Sequence, residues 1–278
     1  MVTMEFREFE AGFQRAVEQT EAEMGVRLER WRRGTLTCED RHAASRGPWP
    51  DWSLHAPHYL HLPDLRAQPF WSLADFPVED RAVFEAVERD WEAVSAEFEA
   101  GILGQDFRPT GHTHIGIQEA WSQYPLRTVN EEWIDDEVAR VPATVGHLRA
   151  IQARGMLRGP VYYAGLAGHL RPHCGGTNAS LIFHYPLRVP ATDCGIRCGT
   201  ELRRWRPGKW LILDDAYPHE AWNHSGESRV ILLITVPHPD LSALERRATS
   251  RIRELLQPTY KAYFSTREIE EGPEGGRS

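Results

Sequence analysis

Histidine is the residue type in this chain that most suggests chemistry: there are thirteen, and His173 and His219 have informative neighbours. His173 lies in Arg-Pro-His-Cys-Gly-Gly-Thr-Asn, and His219 lies in Asp-Asp-Ala-Tyr-Pro-His-Glu-Ala-Trp-Asn. If several short antiparallel strands separate them, the two imidazoles can converge inside a small barrel. Imidazole suits iron, zinc, copper and nickel, so two histidines do not choose among these metals.

The residue two positions after His173 argues against the usual non-haem iron site. Such sites commonly combine two histidines with one carboxylate, and the carboxylate position here is Gly175. From these residues alone, structural histidines near turns are the more common interpretation of His173 and His219.

Four helices are predicted, the first two because apolar residues recur there at steps of three and four. The predicted helices cover residues 6–31, 80–100, 143–153 and 241–256. The last one is expected to stop before Pro258. The polar, glycine-rich tail from Glu268 is expected to be disordered.

From about residue 106 the pattern changes to short apolar runs that are separated by turn residues. The predicted strands cover residues 114–118, 161–164, 180–185, 195–198, 209–213 and 229–236. Closely spaced short strands favour a barrel or sandwich. We therefore predict a mostly helical region over 1–105, a β core over 106–240, and a helix with a flexible tail over 241–278.

Composition narrows the classes of partner. The net charge of −8 makes the chain a poor binder of phosphate backbones, so no nucleic-acid partner is expected. The longest apolar run, 230–236, is too short to cross a membrane, and the charged first residues lack an apolar leader. We expect a cytoplasmic protein with no membrane partner. Cys38, Cys174, Cys194 and Cys198 are then expected to be buried free thiols.

Several segments resemble one family in their order and spacing. They are His173-Cys-Gly-Gly-Thr-Asn, Phe183-His-Tyr-Pro-Leu, Trp205-Arg-Pro-Gly-Lys and Asp214-Asp-Ala-Tyr-Pro-His-Glu-Ala-Trp-Asn. Together with upstream pieces they resemble the aspartyl/asparaginyl β-hydroxylases from about residue 60 to 245. The resemblance implies an iron(II) and 2-oxoglutarate dependent oxygenase. The implied fold is mainly β with α: a double-stranded β-helix (jelly-roll, cupin-like) core with an N-terminal helical region and a C-terminal helix.

The resemblance also implies roles for particular residues. His173 and His219 fall on the two iron ligands, and the family has glycine at the position of Gly175. Arg229 matches the arginine that holds the far carboxylate of 2-oxoglutarate, as a planar guanidinium can. His184 matches a second co-substrate contact. No catalytic residue beyond the metal ligands is implied, and the substrate-binding residues are not predicted.

Two further pocket positions follow from the resemblance, and two departures accompany them. Trp121 matches a pocket tryptophan. Tyr162 falls where the family has serine, although a small gap would place Ala164 there. Ile182 replaces an arginine that is common in the family. Arg188 or Arg197, from neighbouring strands, is a candidate to take over the role of that arginine. His112 and His114 could also line the pocket or belong to a solvated strand edge.

The expected activity is the oxidation of a C–H bond of an amino-acid-like or peptidyl substrate by O2, with succinate and CO2 as co-products. The outcome could be β-hydroxylation, ring closure or desaturation. A halogenase that uses the open iron position is an alternative. A non-catalytic barrel that binds a small acid or a partner is another. The sequence predicts neither the identity of the substrate nor the oligomeric state.

Overall fold

The computed structural model describes residues 6–37, 51–109 and 120–270. The helices are α1 (Phe6–Met24), α2 (Glu29–Arg32), α3 (Val78–Arg89), α4 (Trp91–Glu97), α5 (Asp135–Val138), α6 (Pro142–Ala153) and α7 (Ala243–Glu270). The early strands are β1 (Thr35–Leu36), β2 (Leu60–His61), β3 (Phe70–Trp71), β4 (Arg108–Pro109) and β5 (Trp121–Arg127). The later strands are β6 (Arg158–Leu166), β7 (Gly168–His173), β8 (Ser180–Arg188), β9 (Cys194–Cys198), β10 (Glu201–Arg203), β11 (Leu211–Leu213), β12 (His219–Asn223) and β13 (Arg229–Pro237).

Two antiparallel sheets form the centre of the fold. The larger has seven strands in the order β3-β11-β8-β13-β6-β5-β4, and the smaller has four in the order β10-β9-β12-β7. Apolar residues of both sheets share one buried cluster, for example Ile231 with Ile196 and Ala221. The inner faces therefore pack against each other, as in a jelly roll. The predicted double-stranded β-helix fold is confirmed.

Strands β6, β8 and β13 are apolar on both faces because both faces are covered. Successive side chains of a strand point to opposite sides. Tyr163 and Phe183 pack outward in a cluster with Phe84 and Leu148 of α3 and α6. Ile231 packs inward against the smaller sheet. This double burial explains the unbroken apolar run that predicts β13.

Helices α1 and α7 pack together beside the sheets, although they are far apart in sequence. Phe13 and Val17 of α1 share a buried cluster with Ile252 and Leu256 of α7. The helices approach so closely at Gly12 that a Cβ atom there would lie 2.8 Å from the Thr259 side chain. Within the described ranges, no helix is long and apolar enough to cross a membrane.

Several predicted boundaries differ from the structure. The first predicted helix divides at Gly25, whose φ of +64° is typical of a residue that ends a helix. The expected stop before Pro258 is wrong, because α7 continues to Glu270. Pro258 is exposed, so the carbonyl that its missing N–H leaves unpaired can bond to water. The predicted strand 114–118 lies outside the described residues, as do residues 271–278 of the tail.

Candidate metal and co-substrate site

His173 and His219 meet because their strands are neighbours. β7 and β12 pair with His219 directly opposite His173, and the ring centroids are 4.1 Å apart. Nδ1 of His173 lies 2.7 Å from the Arg171 carbonyl oxygen, and Nδ1 of His219 lies 3.0 Å from that of Tyr217. Because a carbonyl only accepts, each Nδ1 donates and each Nε2 keeps its lone pair. Metal-binding histidines are commonly oriented by such a bond.

These rings line a pocket of about 180 Å³, which we call the histidine pocket. All six residues that the sequence predicts for the site contribute to its wall: Trp121, Tyr162, His173, His184, His219 and Arg229. They come from six strands of the two sheets. The structure thus brings the predicted residues together, and their binding roles stay predictions.

Arg229 is a buried cation with incomplete pairing. It is 2% exposed, and its Nε and Nη1 atoms have no hydrogen-bond partner among the described residues. Its guanidinium lies over the Trp205 ring, 4.5 Å from the centroid. Burial lowers the pKa of Arg229 to about 10. An uncompensated buried charge is strongly unfavourable, so this position is suited to an anionic ligand.

His184 is buried beside Arg229 and is held by the same tryptophan. The Nε1–H of Trp205 donates to His184 Nδ1 at 3.1 Å. Burial holds the pKa of His184 well below its usual range, and the charges of Arg229 and His219 lower it further. The neutral ring therefore carries its proton on Nε2 and can donate a hydrogen bond there. Sequence reasoning noted the Trp205 segment but missed this contact.

Asp215 fills the space that a side chain at position 175 would need. A Cβ atom on Gly175 would lie 2.0 Å from Asp215 Oδ2. Burial raises the pKa of Asp215 to about 8, with Asp214 adding to the effect, and Oδ1 has no partner among the described residues. The pocket thus has a carboxyl group that comes from the β11–β12 connection. In the sequence, its closeness to His219 indicates a side chain that could orient the imidazoles, as do Asp214 and Glu220, but does not indicate the contact with Gly175.

The structure shows no third metal ligand in the described ranges. No group of three or more histidine, cysteine, aspartate or glutamate side chains is arranged there to hold a metal. The donor set is therefore two imidazoles with Asp215 nearby in the same pocket wall. This fits a two-histidine iron site better than a facial triad, since Gly175 has no room for a side chain.

The suggested substitutes for the missing family arginine are wrong. Ile182 lines the histidine pocket, and neither Arg188 nor Arg197 does so. Arg188 is exposed at the end of β8. Arg197 lies between the inward-facing Ile196 and Cys198, so its side chain points away from the pocket and stacks over Trp52. His112 and His114 lie outside the described residues, as does the first cysteine. The other three cysteines form no disulfide with one another.

Replacing Gly175 by alanine is expected to lower the free energy of unfolding by about 2 kcal/mol, because the new methyl group overlaps Asp215. In an Asp215→Ala background the same change should cost much less. Urea unfolding of the four proteins measures the coupling. Gly176→Ala is the matched control, since its Cβ would meet no atom closer than 3.7 Å. Equal costs in both backgrounds would refute this account.

The fold and the site together define a double-stranded β-helix protein with a two-histidine pocket. A model of the aspartyl/asparaginyl beta-hydroxylase family matches residues 88–239, more than half of the chain. The chain belongs to the aspartyl/asparaginyl β-hydroxylase family.

Individual relatives agree with this assignment. The chain is 30% identical over 196 residues to the aspartyl/asparaginyl beta-hydroxylase of Mus musculus. The aligned region covers 68% of this chain and 26% of the mouse protein. It is also 30% identical over 178 residues to an ornithine lipid ester-linked acyl 2-hydroxylase of Rhizobium tropici, covering 60% and 62% of the two chains. The chain spans about a quarter of the length of its mouse and human relatives.

A solved structure is also similar. A prolyl-4-hydroxylase of Pseudomonas putida aligns with 13% identity and a TM-score of 0.34, covering 55% of this chain and 97% of that one. The assignment of the fold rests on the strand pairing of this chain itself.

Proposed function

We propose that this protein is an iron(II) and 2-oxoglutarate dependent oxygenase that hydroxylates a C–H bond of an amino acid or amino-acid-like substrate. The observation that carries the proposal is the buried, incompletely paired Arg229 in the same pocket as two histidines. A dicarboxylate with one end at Arg229 would satisfy the cation. Membership of a hydroxylase family supports the reaction type.

His173 and His219 would hold the iron through Nε2, because their Nδ1 atoms are committed to backbone carbonyls. Bound iron, with 2-oxoglutarate and O2, supplies the oxidising power that converts C–H to C–OH and releases succinate and CO2. With only these two imidazoles as protein ligands, a bound iron would remain open to the co-substrate. The chain's own contribution is to bind and orient the reactants.

Each neighbouring side chain has a separate task in this proposal. Arg229 binds the far carboxylate of the co-substrate, and His184 can donate a hydrogen bond from Nε2 to it. Trp205 orients both side chains. Ile182 and Leu233 form apolar parts of the wall, which strengthen these polar contacts by excluding water.

Replacing Trp205 by phenylalanine is expected to weaken 2-oxoglutarate binding about fivefold. Phenylalanine keeps an aromatic face for Arg229 but removes the N–H that orients His184. Anaerobic calorimetric titration with the iron-loaded protein measures this directly. Trp210→Phe is the matched control, because Trp210 also donates from Nε1, to the Phe84 carbonyl outside the pocket. An equal loss in both variants would show a merely structural effect.

The proposal is tested by anaerobic titration of the metal-free protein with iron(II) and 2-oxoglutarate. We expect the visible charge-transfer band of a chelated 2-oxo acid, followed by succinate formation when O2 is admitted. A folded protein without the band would contradict the proposal and would favour a non-catalytic binding barrel. The product mass then separates hydroxylation from ring closure, desaturation and chlorination.

A further inference from the structure

A second and larger cavity adjoins the histidine pocket. Its volume is about 460 Å³, and Pro160 and Thr235 line both cavities. We call it the apolar cavity, because hydrophobic side chains form most of its wall. They include Phe13, Trp31, Leu60, Ala179, Ile252 and Leu256.

The two cavities share one continuous floor. On β6, Tyr162 and Pro160 line the histidine pocket, and Pro160 and Arg158 line the apolar cavity. On β13, Thr235 lines both cavities and Pro237 lines the apolar cavity. Alternate residues of a strand share one face, so the inner face of the larger sheet runs from the histidines into the apolar cavity. The smaller sheet covers this face at the histidine pocket, whereas helices α1 and α7 cover it at the apolar cavity.

The charged groups in the wall of the apolar cavity have one sign. Arg158 and Arg253 line it, and no aspartate or glutamate is present among the described lining residues. Two carboxylates lie nearby: Glu131, 3.4 Å from Arg253 and also paired with Arg127, and Asp80, which is paired with Arg246. Arg127 and Arg246 also lie close enough to Arg158 to affect it electrostatically. The excess of positive charge favours an anionic ligand.

We propose that the apolar cavity binds the hydrocarbon chain of an amphipathic acid and so places the substrate against the histidine pocket. The volume lies within the range of small-molecule sites. Removal of the chain from water would drive binding, and Arg158 and Arg253 would favour the acid group. The cavity assignment stands on this geometry, whereas the claim that its occupant is the substrate rests on the proposed function.

Dodecanoate is the probe for the first measurement, in calorimetric titrations of the full-length, metal-free protein. We expect one bound molecule and a negative heat-capacity change. Affinity should fall about fourfold for each methylene removed, from dodecanoate to decanoate to octanoate. Affinity that does not depend on chain length would overturn the proposal, and this comparison needs no variant.

Ser250→Phe places a ring into the apolar cavity from α7 and should lower dodecanoate affinity at least about tenfold. Arg247→Phe is the matched control, because Arg247 is exposed on the same helix and is not part of the wall. Thermal melting verifies that both variants are folded. The same loss in both, or no loss in Ser250→Phe, would count against the proposal.

The role of the acid group is tested by comparing a charged ligand with a neutral ligand of the same chain length. Arg253→Gln should weaken octanoate and leave octan-1-ol unchanged, while Arg247→Gln should change neither. Equal weakening of the acid and the alcohol by Arg253→Gln would exclude the role of charge.

Titration of 2-oxoglutarate with the iron-loaded protein, from the same preparations, separates the two proposals. Binding of 2-oxoglutarate without binding of dodecanoate would overturn the inference alone. Binding of dodecanoate without 2-oxoglutarate would support the cavity assignment and contradict the proposed function.

Discussion

Arg229→Met is expected to lower 2-oxoglutarate affinity by about 100-fold or more, because a charged, hydrogen-bonded contact is lost from a buried site. The same change should leave the ligand-free protein at least as stable as the parent. The Arg229 guanidinium is buried with two nitrogen atoms unpartnered among the described residues. Replacing an uncompensated buried charge by an apolar side chain of similar length removes a desolvation penalty. Calorimetric titration and urea unfolding measure the two effects.

Arg127→Met is the matched control for this prediction. Arg127 is also 2% exposed, but it donates to the Gly159 carbonyl and to both the carbonyl and the carboxylate of Glu131. We expect this variant to lose about 3 kcal/mol of stability and to bind 2-oxoglutarate normally. If Arg229→Met destabilised the ligand-free protein as much, Arg229 would have a counter-charge in the resting protein. The argument for a dicarboxylate site would then fail.

His219→Ala and His173→Ala are each expected to weaken metal binding by about 100-fold or more, since each removes one of two imidazole ligands. Succinate formation should be lost with the metal. Cobalt(II) is a suitable probe, because its visible spectrum reports ligation without turnover.

His169→Ala is the control, since His169 lies on the same strand as His173 but bonds to Glu220 on the smaller sheet. It should bind cobalt(II) like the parent. Retention of metal affinity in both ligand variants would exclude the two-histidine site. A loss in His169→Ala alone would point to a different metal centre.

The core strands were predictable because their signals are local, whereas the pairing of the two histidines followed from the family resemblance. The run from Arg229 to Pro237 is apolar at nearly every position, which is typical of a strand buried on both faces. The turn residues between runs predict antiparallel neighbours, and family resemblance supplies their pairing around His173 and His219. The division of the chain at residues 105 and 240 stays a prediction.

Features that depend on distant contacts were not predictable. Asp215 matters because its carboxyl group takes the place of a side chain on Gly175, which lies forty residues earlier. The role of Trp205, which follows β10, depends on His184 of β8 and Arg229 of β13. The helix end expected before Pro258 was wrong because Pro258 lies on the exposed face of α7, where water can bond to the carbonyl that loses its N–H partner.

The packing of α1 against α7 has a consequence for how the protein is made. The ion pair of Arg251 with Glu23 joins residues 228 positions apart, so α1 has no α7 to pack against until all the strands between them have been synthesised. Contacts of such long sequence separation form slowly. Phe13 and Val17 therefore remain exposed on a nascent chain while the strands pair. The wall that Phe13 and Ile252 share around the apolar cavity is therefore expected to assemble late in folding.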